Sequence, residues 1–356
     1  MVIKLFLQIF FSLPVWLLRC LVFKRSITIN NQILDFQTQV FLGLQSLQAN
    51  SFDDPNSFNS AKELREIIES SREGLPLNAK PRILVETLDH LIQSQYGDLK
   101  VREYCPERQL VQSPILYFHG GGYVFGSIKT HDPWLKFFSA EMGVRIFSLE
   151  YRLAPENKFP SSLQDSNLAL EWLGDKLSLP IDKISLCGDS AGAHLAGSLS
   201  TYRAINNLPL PSSQCLIYPM IDPTCSSKSQ NDYAEGFFLS KKAMIWFWDK
   251  LMHSRKDLQD PIFNLTINSN TALPKTLVIT AGFDPLSDEG ESYARLLHNN
   301  GNEVHQIHYP HLIHGFVNMT ALRAAKDASK DIINTCLLYT SPSPRDATLS
   351  RMPSSA

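Results

Sequence analysis

The pentapeptide Gly188-Asp189-Ser190-Ala191-Gly192 matches the pattern Gly-x-Ser-x-Gly. In this pattern a serine nucleophile lies on a tight turn between a strand and a helix, so that its Oγ projects above a sheet. Such a turn leaves no room for bulk beside the serine, which accounts for the glycines. The following helix points its N-terminus at the same place and favours negative charge there. Ser190 is therefore the candidate nucleophile, and an ordinary turn is the alternative.

The sequence on both sides of this pentapeptide agrees with a strand and a helix. Residues 183–187 form an apolar strand pattern, and small residues after Ser190 begin a helix that can pack closely. Further strand patterns alternate with helical ones, at residues 99–104, 115–118, 144–149, 215–218, 277–280 and 304–309. This alternation predicts βαβ units, and hence an α/β fold with a mainly parallel central sheet flanked by helices.

A glycine-rich stretch, His119-Gly120-Gly121-Gly122, directly follows the strand pattern that ends at Phe118. Glycines let a substrate approach the backbone closely, so this loop can present N–H groups to a tetrahedral oxyanion. A phosphate-binding loop is the alternative, but its pattern Gly-x-x-x-x-Gly-Lys-Ser/Thr requires a lysine that this stretch lacks. We therefore expect an oxyanion hole, with His119 holding the backbone rather than transferring protons.

A serine nucleophile needs a base and an acid that orients the base, here in the chain order Ser, Asp or Glu, His. Two strand patterns after Ser190 end in suitable loops. The first loop offers Asp284 or Asp288 as the acid, and the second offers His311 or His314 as the base. Position along the chain does not choose within either pair.

The composition is that of an ordinary globular protein and argues against a nucleic-acid function. The 356 residues carry a formal net charge of −2, with 44% hydrophobic and 19% charged residues. This balance gives no reason to expect a polyanionic partner. The six cysteines form no Cys-x-x-Cys pair, so we expect no zinc or other metal site. Their usage suits a reducing compartment such as the cytoplasm.

Five stretches make the chain resemble the hormone-sensitive-lipase-like family of α/β-hydrolases, over about residues 84–325. They are the segments 119–127, 151–156, 188–192, 282–290 and 314–316. In this family the first Asp of the Asp-Pro-Leu block is the acid and the His before Gly-Phe is the base. The resemblance therefore implies a triad of Ser190, Asp284 and His314. One departure is Ala193, where the family usually has a second glycine.

The resemblance also implies the surroundings of the triad. The oxyanion donors would be the backbone N–H groups of Gly121, Gly122 and Ala191. A helical cap would cover the site, built from residues 1–81 and an insertion at about 222–261 in a catalytic domain of residues 82–335.

We expect three aromatic side chains to line the pocket under this cap, namely Tyr123, Phe125 and Phe237. An enclosed pocket limits substrate length, which predicts a preference for short to medium acyl chains.

The expected function is that of a serine carboxylesterase acting on a small-molecule ester, with no metal and no organic cofactor. Two alternatives use the same fold. A non-catalytic receptor for a small ligand would not need His314, so the presence of this histidine argues against it. An amidase or deformylase would share the triad chemistry, and the sequence does not separate ester from amide.

The two ends of the chain stand apart from this reading. Residues 2–23 are apolar but are interrupted by Pro14 and Arg19, so we expect a part of the cap that is neither cleaved nor membrane-spanning. Peripheral attachment at a membrane surface is the alternative. Residues 336–356 have no apolar period and resemble a translated adapter or cloning scar, with a natural disordered tail as the alternative.

Overall fold

The structure is a computed structural model that describes residues 10–11, 13–22, 25–46, 60–74, 77–267 and 272–340. Within these ranges the chain forms ten strands and ten α-helices. The strands are β1 (Thr28–Ile29), β2 (Gln32–Ile33), β3 (Val85–Ile92), β4 (Leu99–Pro106), β5 (Val111–Phe118), β6 (Val144–Leu149), β7 (Ser185–Asp189), β8 (Ser213–Ile217), β9 (Lys275–Phe283) and β10 (Val304–Ile313). The helices are α1 (Val15–Val22), α2 (Phe36–Gln45), α3 (Ala61–Gly74), α4 (Ile128–Met142), α5 (Ser161–Leu177), α6 (Ala191–Ile205), α7 (Lys228–Asp232), α8 (Lys241–Leu251), α9 (Ser287–Asn299) and α10 (Arg323–Thr340).

Eight of these strands form one central sheet in the order β10-β9-β8-β7-β5-β6-β4-β3. Neighbours from β10 to β6 pair in parallel, whereas β4 pairs antiparallel with both β6 and β3. The α/β fold and the mainly parallel sheet predicted from the sequence are thus confirmed. Strand β3 was not predicted, because in this edge strand only the two end residues are buried and the apolar alternation is absent.

The core lies on both faces of this sheet. Along β5, Ile115 and Tyr117 belong to one apolar cluster, and Leu116 and Phe118 belong to another. Successive side chains of a strand point to opposite faces, so the two clusters cover the two faces. Strand β7 is buried along its whole length, as expected for a central strand of a parallel sheet.

This topology brings the predicted site loops together. The loops that follow β5, β7, β9 and β10 carry His119, Ser190, Asp284 and His314. The carboxyl ends of parallel strands meet at one edge of a sheet, which is where ligands bind in open α/β folds. Four segments that are far apart in the sequence therefore converge on one place.

Two helices, α2 and α3, lie within the N-terminal region that the family resemblance assigns to the cap. Asp35 caps α2, because its Oδ2 accepts the Thr38 N–H at 2.8 Å. Ser60 caps α3, with its Oγ accepting the Glu63 N–H at 3.1 Å. Helix α3 ends at Gly74.

The N-terminal segment packs onto the body of the protein where the structure describes it. Phe11 and Leu18 are buried, and the Arg19 guanidinium lies 4.7 Å from the centre of the Phe36 ring. Within the described ranges no helix is both long enough and apolar enough to cross a bilayer. Residues 1–9, 12, 23–24, 47–59 and 75–76 of the predicted cap lie outside the described residues.

The non-native or disordered tail expected from residue 336 stays a prediction, but residues 336–340 are helical. Helix α10 continues to Thr340, and Cys336 is only 3% exposed. Ile332 and Cys336 are four residues apart on one helix face, so the side chain of Cys336 joins the same core. Residues 341–356 lie outside the described residues.

Candidate active site

Ser190 lies on a strained turn between β7 and α6. Its φ is +56°, a left-handed conformation that non-glycine residues rarely adopt. The turn is held by the Ser190 N–H, which donates to the Ile217 carbonyl at 2.9 Å. The neighbouring glycines are required by space: a Cβ at Gly192 would lie 2.0 Å from the Phe118 carbonyl oxygen, and one at Gly188 would lie 2.3 Å from the Gly192 oxygen. This is the geometry expected of a nucleophile turn.

Ser190, His314 and Asp284 form one continuous hydrogen-bonded chain. The Ser190 Oγ lies 3.0 Å from His314 Nε2, and His314 Nδ1 lies 2.8 Å from Asp284 Oδ2. Since the carboxylate can only accept, His314 Nδ1 carries the proton and Nε2 is left to accept from the serine. All three side chains are at least nine-tenths buried. The arrangement can remove the proton of Ser190 and stabilise the resulting imidazolium.

The other members of the two candidate pairs lie elsewhere. His311 lines a surface cavity of about 390 Å³ together with Arg323 and Asp331. Asp288 accepts the Ser229 N–H at 2.8 Å, so it holds the segment that contains α7. The geometry therefore joins Ser190 to His314 and Asp284, the two residues that the family resemblance implies.

The oxyanion loop has a backbone that only glycine adopts easily. Gly121 and Gly122 have φ values of +124° and +59°. A Cβ at Gly122 would lie 2.3 Å from the ring of Phe247 on α8, so this glycine also permits close contact with the neighbouring helix. Ala191 is the first residue of α6, where an N–H has no partner within the helix. These N–H groups lie on the two segments, after β5 and after β7, that flank Ser190.

Asp189 holds the oxyanion loop against the nucleophile strand, a role that the sequence analysis did not assign. Its Oδ1 accepts the Gly120 N–H at 2.9 Å and the Tyr117 hydroxyl at 2.7 Å. The sequence does contain a sign of this role, because Asp189 stands at the end of an apolar strand pattern. A carboxylate buried there needs hydrogen-bond donors nearby. The expected role of His119 agrees with its contacts, because its Nδ1 donates to the Gly120 carbonyl at 2.9 Å and its ring stacks on Tyr151.

Tyr123 does not line an open pocket, and this expectation is wrong. Its side chain is 0% exposed, and its hydroxyl lies 2.6 Å from Nδ1 of His194 on α6. The left-handed backbone at Tyr123, with a φ of +63°, accompanies a side chain that is buried in the core. The pattern of aromatic residues near the loop could not distinguish a core side chain from a pocket wall.

The other two predicted lining residues have different surroundings. Phe125 is partly buried, with its ring 5.7 Å from that of Phe247. Phe237 packs behind the loop that carries Asp284, called the acid loop below, against the rings of Tyr233 and Phe283. Its neighbour Phe238, which the sequence analysis did not select, lies against the histidine loop: a Cβ on Gly315 would lie 2.9 Å from its ring.

Glu289 connects the acid loop to the start of the predicted cap insertion. Its Oε1 accepts the N–H groups of Ile221 and Asp222 at 2.7 and 3.3 Å, and its Oε2 accepts from Gln230 at 3.2 Å. Burial raises the pKa of Glu289 from its ordinary value of 4.5 to about 8. This buried carboxyl therefore ties the backbone that follows β8 to the helix that follows Asp284.

Comparison with known proteins gives a consistent result. The family model described as alpha/beta hydrolase fold matches residues 115–318. The chain is 32% identical over 268 residues to the carboxylic ester hydrolase LipN of Mycobacterium tuberculosis, covering 72% of this chain and 71% of LipN. It is 33% identical over 237 residues to an arylesterase of Saccharolobus solfataricus, covering 65% and 77% of the two chains. The solved hyperthermophilic esterase of Pyrobaculum calidifontis superposes with a TM-score of 0.79 at 31% identity, covering 86% of this chain and 99% of that one.

Proposed function

The chain belongs to the hormone-sensitive-lipase-like family of α/β-hydrolases, and we propose that it hydrolyses carboxylic esters through an acyl-enzyme on Ser190. The observation that carries this proposal is the hydrogen-bonded chain from Ser190 Oγ through His314 to Asp284, with distances of 3.0 and 2.8 Å. The esterase names of its relatives agree with this chemistry.

The mechanism follows from the positions of these groups. Ser190 Oγ attacks the ester carbonyl carbon while His314 Nε2 takes the hydroxyl proton. The N–H groups of Gly121, Gly122 and Ala191 donate hydrogen bonds to the former carbonyl oxygen and stabilise its negative charge. Collapse of the tetrahedral intermediate breaks the C–O bond, and His314 returns the proton to the departing alcohol. A water molecule activated by His314 then hydrolyses the acyl-enzyme and restores the serine.

The proposed substrates are esters with short to medium acyl chains. Support comes from two aromatic side chains beside the catalytic loops, because the ring of Phe247 contacts Gly122 and that of Phe238 contacts Gly315. Rings on both loops narrow the space that remains for an acyl chain. A series of p-nitrophenyl esters from acetate to palmitate tests this, and faster turnover of palmitate than of butyrate would contradict it.

The Ser190→Ala variant tests the proposed nucleophile. We expect kcat for p-nitrophenyl butyrate to fall on the order of 10⁶-fold, as for loss of the triad serine in subtilisin, with the melting temperature unchanged within a few degrees. The matched control is Ser200→Ala, which removes the hydroxyl of another buried serine on α6 and should keep its activity. An alanine variant at position 190 that kept more than a tenth of wild-type activity would exclude Ser190 as nucleophile.

For the cell, we propose a cytoplasmic enzyme whose N-terminal segment belongs to the cap. The burial of Phe11 and Leu18 supports a packing role for this segment. Peripheral membrane contact is the competing proposal, and its support is Trp16, which is 67% exposed on α1. Fractionation of a cell lysate, followed by carbonate extraction of the membranes, separates the two proposals. A protein whose N-terminal segment is packed stays in the soluble fraction, whereas a peripherally attached protein sediments with the membranes and is released by carbonate.

A further inference from the structure

A buried histidine outside the triad connects three parts of the protein. His194 lies on α6, four residues after Ser190, and is 0% exposed. Its Nδ1 lies 2.6 Å from the hydroxyl of Tyr123, the residue that directly follows the oxyanion-loop glycines. Its Nε2 lies 2.8 Å from the Phe263 carbonyl oxygen, on the segment that returns from the predicted cap insertion to β9. One imidazole thus touches the oxyanion loop, the nucleophile helix and the return of the cap insertion.

The direction of both hydrogen bonds follows from the partners. A carbonyl oxygen only accepts, so Nε2 of His194 carries a proton. Burial lowers the pKa of His194 to about 4, so the ring is neutral and holds a single proton near neutral pH. Nδ1 is therefore an acceptor, and the Tyr123 hydroxyl donates to it. Burial also holds the pKa of Tyr123 well above its ordinary value, so this hydroxyl keeps its proton.

The arm to Tyr123 acts on the oxyanion loop. Tyr123 follows Gly122 and has a φ of +63°, a conformation that a tyrosine holds only when its surroundings impose it. The Tyr123 hydroxyl is held by His194, and the Tyr123 carbonyl accepts the Ala154 N–H at 2.9 Å. The side-chain bond to α6 ties Tyr123, and through it the N–H groups of Gly121 and Gly122, to the helix that begins next to Ser190.

The arm to Phe263 acts on the cap side. The Phe263 ring packs edge-on against Trp248 of α8 at 5.3 Å and against Phe159 at 5.1 Å. Helix α8 also carries Phe247, the aromatic side chain that contacts Gly122. A shift of the Phe263 backbone would therefore be transmitted to a wall of the acyl pocket.

We propose that His194 is a positioning residue with two separable functions: its Nδ1 fixes the oxyanion loop through Tyr123, and its Nε2 fixes the cap insertion through Phe263. The proposal rests on the proposed acyl-enzyme chemistry at Ser190. It assigns the Tyr123 hydroxyl to transition-state stabilisation and not to substrate contact.

Two substitutions of His194 separate the arms. An Asn side chain places its Oδ1 where the imidazole has Nδ1, so His194→Asn keeps the acceptor for Tyr123 and loses the donor to Phe263. A Gln side chain reaches the position of Nε2 with its amide N–H₂, so His194→Gln keeps the donor to Phe263 and loses the acceptor for Tyr123. Tyr123→Phe removes the first arm from the other side without changing the shape of the ring.

The expected results differ in kcat and KM. His194→Gln and Tyr123→Phe should each lower kcat by roughly 10- to 100-fold with KM for p-nitrophenyl butyrate within about 2-fold, because a misplaced oxyanion donor weakens only the transition state. His194→Asn should keep most of kcat, raise KM about 3-fold or more and weaken the preference for short acyl chains. The control is Tyr202→Phe, which changes a partly buried tyrosine on the same helix and should leave both parameters at wild-type values.

Labelling with an alkyl p-nitrophenyl phosphonate, followed by mass spectrometry, separates failure of this proposal from failure of the proposed function. Wild type labelled on Ser190, with the Ser190→Ala variant unlabelled, supports the acyl-enzyme chemistry. If labelling is as expected but Asn and Gln at position 194 lower kcat equally, or Tyr123→Phe keeps wild-type kcat, the positioning role is overturned. Circular-dichroism melts of all variants accompany the kinetics, and Tyr123→Phe provides the test if the His194 variants do not fold.

Discussion

Replacing Glu289 with glutamine is expected to make this protein more stable than wild type at alkaline pH. The carboxyl of Glu289 is buried, and its Oε1 accepts the Ile221 N–H at 2.7 Å. Burial raises its pKa from 4.5 to about 8, against the opposing effect of the backbone N–H groups. A glutamine has the shape of the neutral acid and keeps an oxygen for Ile221, and the amide of Gln230 can turn to accept from its N–H₂.

The size of the effect follows from the pKa difference between the folded and unfolded chain. In the unfolded chain the carboxyl ionises near 4.5, whereas in the folded chain it stays neutral up to about 8. The stability associated with the neutral form is fully present below pH 4.5 and is lost as pH rises towards 8. One unit is worth about 1.4 kcal/mol, so roughly 4 kcal/mol is lost between pH 5 and pH 9. The sign is the reverse of that for a carboxylate in an ion pair.

The assay compares melting temperatures of wild type and Glu289→Gln at pH 5, 7 and 9. At pH 5 the two should melt within a few degrees of each other. By pH 9 the variant should gain roughly 5 °C over wild type, at about 1.3 °C per kcal/mol for a chain of 356 residues. Other titrating groups are common to both proteins and cancel in the difference. The control Glu86→Gln changes an exposed side chain on β3 and should shift the melting temperature by about 1 °C or less.

A melting-temperature difference between wild type and Glu289→Gln that stays constant from pH 5 to pH 9 would refute this reasoning. So would a variant that becomes less stable than wild type as pH rises. Either result would mean that Glu289 is ionised in the folded protein, held by the N–H groups that it accepts rather than neutralised by burial.

Three further outcomes are expected. His314→Ala should lower kcat on p-nitrophenyl acetate by about 10⁵-fold or more, whereas His311→Ala should stay within about 10-fold; equal losses would reject the assignment of the base. Gly192→Ala brings a Cβ within 2.0 Å of a strand carbonyl oxygen and should cost more than about 3 kcal/mol or prevent soluble expression, while Gly197→Ala meets only the end of a leucine side chain at 2.9 Å and should cost about 1 kcal/mol in a urea titration. Deletion of residues 1–23 removes the buried side chains of Phe11 and Leu18 and should lower stability by about 3 kcal/mol; an unchanged melting temperature would show that the segment is not part of the packed cap.

The features that could be predicted from the sequence are those determined by neighbours in the chain. The turn around Ser190 needs small residues at fixed positions, and the N-terminus of α3 needs a serine three residues before Glu63. Both patterns are therefore visible in short stretches of sequence. The alternation of strand and helix patterns is local as well, and right-handed βαβ connections leave few ways to arrange such a chain. For the same reason, the family resemblance could select Asp284 and His314 from short motifs.

Tertiary structure alone decided which side chains meet. Tyr123 and His194 are 71 positions apart, and the sequence contains no sign that the tyrosine turns into the core and not into the pocket. Phe237 and Phe238 are adjacent phenylalanines, yet Phe237 packs against Phe283 and Phe238, with a φ of +74°, packs against Gly315 beside the catalytic histidine. From its sequence position alone, Glu289 would be a solvated helix residue. In the structure the backbone after β8 covers it and shields it from water. Burial and pairing are properties of the assembled sheet and its loops, so they appear only when distant segments are brought together.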